Sequence, residues 1–147
     1  MKLSIVLLLC CSQWLWAAGG GGGGVAKASV DSQAELAAVE SLIKAEQYPA
    51  AELKLQLLRQ KSADNADVWN WSGYVARKTG RLDEAFAYYD RALKLDLRHL
   101  GAHEYLGEAY LQAGQLEQAE GQLAQLKAIC GQCEQAEDLA ASIRRAR

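Results

Sequence analysis

The stretch from Ala66 to Leu97 finds itself again when it is shifted by 34 residues. Gly73 falls on Gly107, Gly80 on Gly114, Leu82 on Leu116 and Ala85 on Ala119, all in one register. A period of this length in a helix-rich sequence describes a repeated helix, turn and second helix, each unit covering its apolar face with the next. Few folds satisfy that constraint, so composition only has to agree with it. Half of the 147 residues are apolar and there is one proline. Ala, Leu, Glu, Gln and Lys dominate after residue 30, which favours helices and nothing else. The expectation is a single all-α domain, a stack of helical hairpins.

The units follow from the register. The first spans 32–65, the second 66–99 and the third 100–130, with a last helix over 134–146. In the first, Ala51, Leu55 and Leu58 stand where the second has Ala85, Tyr89 and Ala92, but both turn glycines are missing. Pro49 opens its second helix, where an absent N–H costs nothing. Asn65 or Asp64 can cap the next helix and Gly80 can end it. After Cys133, acids come first and arginines last, matching the helix dipole, and Ala136, Leu139, Ala140 and Ile143 form one apolar stripe. A helix with one apolar and one charged face suits the open end of a stack.

The pattern W-x2-L-G-x2-Y, A-x3-F, A and P over 34 residues resembles the tetratricopeptide repeat. The residues that carry the resemblance are Trp69, Gly73, Gly80, Ala85, Tyr89 and Ala92 in the second unit. In the third they are Leu106, Gly107, Tyr110, Gly114 and Ala119. The glycines and alanines are expected to let two helix backbones approach, with Trp69, Tyr89 and Leu123 filling the space around them. Ser72 replaces the expected Leu and Ala76 the expected Tyr. Leu97 stands in the proline position, so the helix before it is expected to run on to Arg98 or His99.

The resemblance implies a right-handed superhelix whose first helices line a concave groove that holds a peptide or a segment of another protein. Positions that face the groove in the family fall on Asn70, Tyr74, Arg77 and Lys78, and on Glu104, Glu108 and Leu111. The branch that clamps a terminal carboxylate uses a cluster of Lys and Asn, of which this chain offers only Asn70, Arg77 and Lys78, so that specificity is not carried over. Arg77 and Lys78 also complement a helix C-terminus. Trp71 points away from Trp69. It either packs against the preceding hairpin or serves as an exposed ligand anchor.

Residues 1–18 read as a secretory signal peptide: one early cation, an apolar run from Ile5 to Cys11, then Ala17 and Ala18. Residues 19–31, opening with six glycines, read as a flexible linker. No small residue directly precedes Cys10 or Cys11, which argues against lipid attachment. Removing Lys2 with the leader takes Lys plus Arg from 16 to 15 against 18 acids, a balance of −3, and leaves Cys130 and Cys133. An even pair in an exported chain is most simply a disulfide. The looser likeness of this ending to small exported repeat proteins implies the periplasm of a Gram-negative bacterium, with no stable membrane insertion once the leader is gone.

Other chemistry is weighed against these assignments. No run of like charge suggests a nucleic-acid arm, and no motif suggests catalysis or a cofactor. Glu134 stands where a haem-attachment motif needs His. A catalytic thiol pair usually opens a helix, whereas Cys130 follows one. His99 and His103, spaced i, i+4, with Cys130 and Cys133 make a conceivable zinc set. The alternative function is therefore a metal-binding or thiol-redox accessory protein; the leading one is a non-enzymatic protein-binding module with an unidentified partner.

Overall fold

The computed structural model describes the backbone of residues 24–147 and the side chains from Ser32 onward. The expected signal peptide, the first five linker glycines, and Cys10 with Cys11 lie outside the described residues. Among the described residues seven helices follow one another: α1 (Gly24–Lys44), α2 (Tyr48–Lys61), α3 (Ala66–Lys78), α4 (Leu82–Leu95), α5 (Leu100–Gln112), α6 (Leu116–Cys130) and α7 (Glu134–Ala146). Among the described residues there is no strand. Helix α1 reaches back to Gly24, inside the stretch expected as linker; its sequence after the glycines, V-A-K-A-S-V, contains no helix breaker.

The odd-numbered helices form one layer, with α1 against α3, α3 against α5 and α5 against α7. The even-numbered helices back them as hairpin partners. Three apolar clusters follow the stack. Leu36, Val39, Ile43, Leu55 and Leu58 fill the first hairpin and meet Val68 and Val75 of α3. Ala85, Tyr89, Leu106 and Ala109 join the second hairpin to α5. Leu126, Ala136, Leu139 and Ile143 join the third to α7.

Local chemistry sets the helix ends. Asn65, not Asp64, caps α3, its side chain accepting from the Asp67 N–H at 2.9 Å. Gly80 and Gly114 adopt φ of 80° and 73°, the left-handed conformation that closes a helix C-terminus. In the first hairpin the same register position is Glu46, and it adopts φ 55° without being glycine. The repeat geometry has been kept where the favoured residue was lost.

Helix α4 stops at Leu95, contrary to the expectation that losing the proline lets it continue. Asp96 accepts from the Arg98 N–H at 2.9 Å, and His99 caps α5 by accepting from the Ala102 N–H at 3.1 Å. Two side-chain bonds thus end one helix and start the next. Leu97, left over, is 78% exposed.

The glycines act differently from the expected approach of two backbones. A Cβ on Gly73 would stand 2.5 Å from the Tyr89 ring, and one on Gly107 would stand 2.5 Å from Leu139. Each glycine makes room for a large side chain, the first from its own hairpin and the second from α7. Trp69, expected in the core, is only half-buried. Its Nε1–H donates to the Ala63 carbonyl at 2.9 Å, and its ring meets Tyr88 and lies beneath Arg91. Ser72, where Leu was expected, accepts from Arg59 at 2.8 Å while Arg59 also pairs with Glu52, so a polar joint ties the first hairpin to α3.

Candidate functional site

The inner layer positions the candidate site along the seam between α3 and α5 and on to α7. Trp71, Tyr74 and Tyr105 gather there. Tyr74 and Tyr105 meet edge to face at 5.0 Å, and Trp71 lies 5.7 Å from Tyr74 and 6.2 Å from Tyr105. The Arg77 guanidinium sits over both tyrosines, 5.4 Å and 5.9 Å from the ring centres. All four side chains are half-buried. Trp71 packs against the cluster shared by the first hairpin and α3, and its ring also joins this group.

Beside the rings the site is acidic. Burial pushes the Glu104 carboxyl up to about 7, reinforced by Asp138 and Glu108 and weakly by Glu134, and opposed by Arg77. The same surroundings, burial first and then Glu104, push Tyr105 up to about 12. Beneath the cluster, the Tyr89 hydroxyl and Arg77 Nε are buried near one another, and neither makes a hydrogen bond of good geometry among the described residues. Tyr89 is driven above its usual range by that burial.

The expected groove residues divide. Tyr74, Arg77, Glu104 and Glu108 come together as above. Asn70 is on the same seam but only 4% exposed, its amide lying against the first turn of α5 at Gly101, and its Oδ1 has no hydrogen-bond partner among the described residues. Lys78 is exposed at the end of α3. Leu111 turns toward the α6–α7 core and packs there with Leu123 and Tyr110.

Tyr105 and Asp138 join the expected residues here, and both obey the register. Tyr105 is Trp71 advanced by 34 residues. Asp138 is Glu104 advanced by 34, which in turn is Asn70 advanced by 34. Helix α7 therefore occupies the place of a fourth inner helix, and successive equivalents lie on neighbouring helices.

The conceivable zinc set is not assembled. His99 bonds Asp67 through Nε2 at 3.0 Å and caps α5 through Nδ1. His103 has its ring nitrogens 2.7 Å from the Gln122 side-chain amide and 3.1 Å from the Leu97 carbonyl oxygen. The Cys130 and Cys133 sulfurs lie 2.06 Å apart across the turn between α6 and α7. Among the described residues no group of three or more His, Cys, Asp or Glu is placed to hold a metal. No described helix is long and apolar enough to cross a membrane.

Comparison with known proteins agrees with this geometry. Two tetratricopeptide-repeat family models match, over residues 36–96 and 76–143, so that together they span 36–143. The chain belongs to the tetratricopeptide repeat family. A search of curated proteins finds no match. Among solved structures, the Arabidopsis OM64 TPR domain superposes with a TM-score of 0.70 at 14% identity, covering 79% of this chain and 96% of that one. The second TPR domain of human RPAP3, solved with an HSP70 peptide, gives 0.69 at 18% identity, covering 80% and 98%. The Yersinia enterocolitica type III secretion chaperone SycD, solved with a peptide of the translocator YopD, gives 0.67 at 17% identity, covering 78% and 87%. At these identities the likeness is one of fold.

Proposed function

We propose that this chain is a non-enzymatic module that holds an extended segment of another protein across its inner layer. The observation that carries this is the cluster of Trp71, Tyr74 and Tyr105 under Arg77, where rigid rings gather at the surface of the layer. Large aromatic side chains and arginine contribute most of the affinity in protein interfaces, because they remove much area from water at little entropic cost. Structural neighbours solved with peptides support the same use of the fold. The setting proposed is outside the cytoplasm, in the periplasm of a Gram-negative bacterium. The leader-like residues 1–18 and the paired Cys130 and Cys133 support it.

The test is site-directed photocrosslinking in cells. A photoreactive amino acid at Lys78 or Glu108 should capture one discrete partner, and the same group at Leu57, on the outer helix α2, should not. Adding Tyr74→Ala should abolish the inner-layer product while leaving the melting temperature within a few degrees. Equal capture from Leu57, or capture indifferent to Tyr74→Ala, would remove the assignment.

A further inference from the structure

Three register rows run across α3, α5 and α7, and each has its own chemistry. One is aromatic and apolar: Trp71, Tyr105 and Leu139. A second runs through Tyr74, Glu108 and Ser142. The third is Asn70, Glu104 and Asp138, in which every member offers oxygen acceptors. Equivalent positions on adjacent helices of a stack are neighbours, so the third row is a line of oxygens crossing the seam beside the rings.

Two independent facts indicate that the line is incomplete without a donor. Asn70 is 96% buried, on the figure of 4% exposure, and its Oδ1 has no partner among the described residues. A buried acceptor left without a donor is costly unless something supplies one. Further along the row, Glu104 is half-buried among acids. Of the described charged side chains that act on it most, Asp138 and Glu134 on α7 and Glu108 on α5 are negative, and Arg77 on α3 is positive. Arg77 is committed to the faces of Tyr74 and Tyr105.

Resting on the proposed peptide-binding role, we propose that the bound segment is basic, placing a lysine or arginine side chain across the Asn70–Glu104–Asp138 row with its stem along Trp71 and Tyr105. Carboxylates supply the charge, the amide oxygen accepts an N–H, and aromatic surface receives the aliphatic stem of the cation. Opposite charge across the interface selects such a segment and rejects acidic ones. The expected ligand is therefore the reverse of the acidic HSP peptide SRMEEVD seen with one structural neighbour, the first TPR of Spaghetti.

The test uses the purified full-length chain on an array of random-sequence decapeptides graded in net charge, read at pH 8 and at low salt. Retained signal should rise with Lys and Arg content, by roughly tenfold between neutral and strongly basic peptides. Glu104→Gln and Asp138→Asn should each remove most of that dependence while neutral peptides keep their weaker signal; Asp138 is exposed, so its replacement leaves the fold intact. Tyr74→Ala should lower signal at every charge. Signal independent of charge but lost in Tyr74→Ala would overturn the basic-segment inference and leave the peptide-binding role standing. Preference for acidic peptides, or charge dependence that survives both carboxylate replacements, would also overturn it. Absence of signal from every peptide would overturn both.

Discussion

The two ends of the stack are finished in different ways. At the C-terminal end, α7 lies over α5 and α6, and Leu139, fully buried, fits the space that Gly107 leaves open. At the N-terminal end, α2 leaves Leu53 and Leu57 66% and 56% exposed, and the hairpin turn bends at Glu46, a residue that disfavours φ 55°. One end closes the core with a shaped contact; the other keeps the repeat's backbone path while having lost the residues that favour it. Geometry in a stack is imposed by the neighbouring hairpin, so a unit can lose its own signature and still fold in register.

The largest effect should separate the two ends. Leu139→Ala should destabilise the chain by about 3 kcal/mol, through a cavity in a packed contact, and should expose α7 to proteolysis. Leu57→Ala should stay within about 0.5 kcal/mol. Denaturant unfolding of both variants measures the contrast, and equal losses would mean that the N-terminal face is covered in solution.

A smaller effect concerns the turns. Glu46→Gly should stabilise by about 1 kcal/mol by relieving the left-handed strain. Gly80→Glu, which places the same residue in the equivalent turn, should cost a similar amount. A loss on Glu46→Gly would mean that its side chain makes a contact outweighing the strain.

An effect of similar size, but dependent on pH, lies between the ends, at Glu104, whose folded carboxyl is raised from 4.5 to about 7. The unfolded chain ionises first, so raising pH from 4.5 to 7 weakens folding, and above 7 the whole cost is present. Glu104→Gln should therefore match the natural chain at pH 4 and gain roughly 1 kcal/mol at pH 8, a value reduced for solvent screening of this half-exposed group. Thermal melts at the two pH values check it; a gain that is the same at both would place the cause in packing.

Much of the fold was legible because its determinants are local. Gly80 and Gly114 mark turns by conformation alone, Asn65 caps by its own side chain, and α7 keeps to the limits its charge gradient suggests. Part of the site was legible for a different reason. Tyr74, Arg77, Glu104 and Glu108 sit at expected groove positions and do gather on the inner layer, while Leu111, one period after Arg77, turns to the α6–α7 core. Tyr105 and Asp138 obey the same 34-residue step, but their place in the site depends on α5 packing against α3 and on α7 standing as a fourth inner helix, which the repeat signature does not contain. The extension of α4 to His99 failed on Asp96 and His99, whose side-chain bonds replace the missing proline.

The sequence by itself determined the hairpin period, the turn glycines and the limits of α7, because each depends on residues within a few turns of one another. Only the tertiary structure decided what occupies the space beside each glycine, that Asn70 is buried with an unsatisfied oxygen, and that the two histidines bond to Asp67 and Gln122 instead of converging on the cysteines. Those outcomes depend on which distant side chain arrives first at a shared space. Periodicity says where neighbours meet, and packing decides which of them fits.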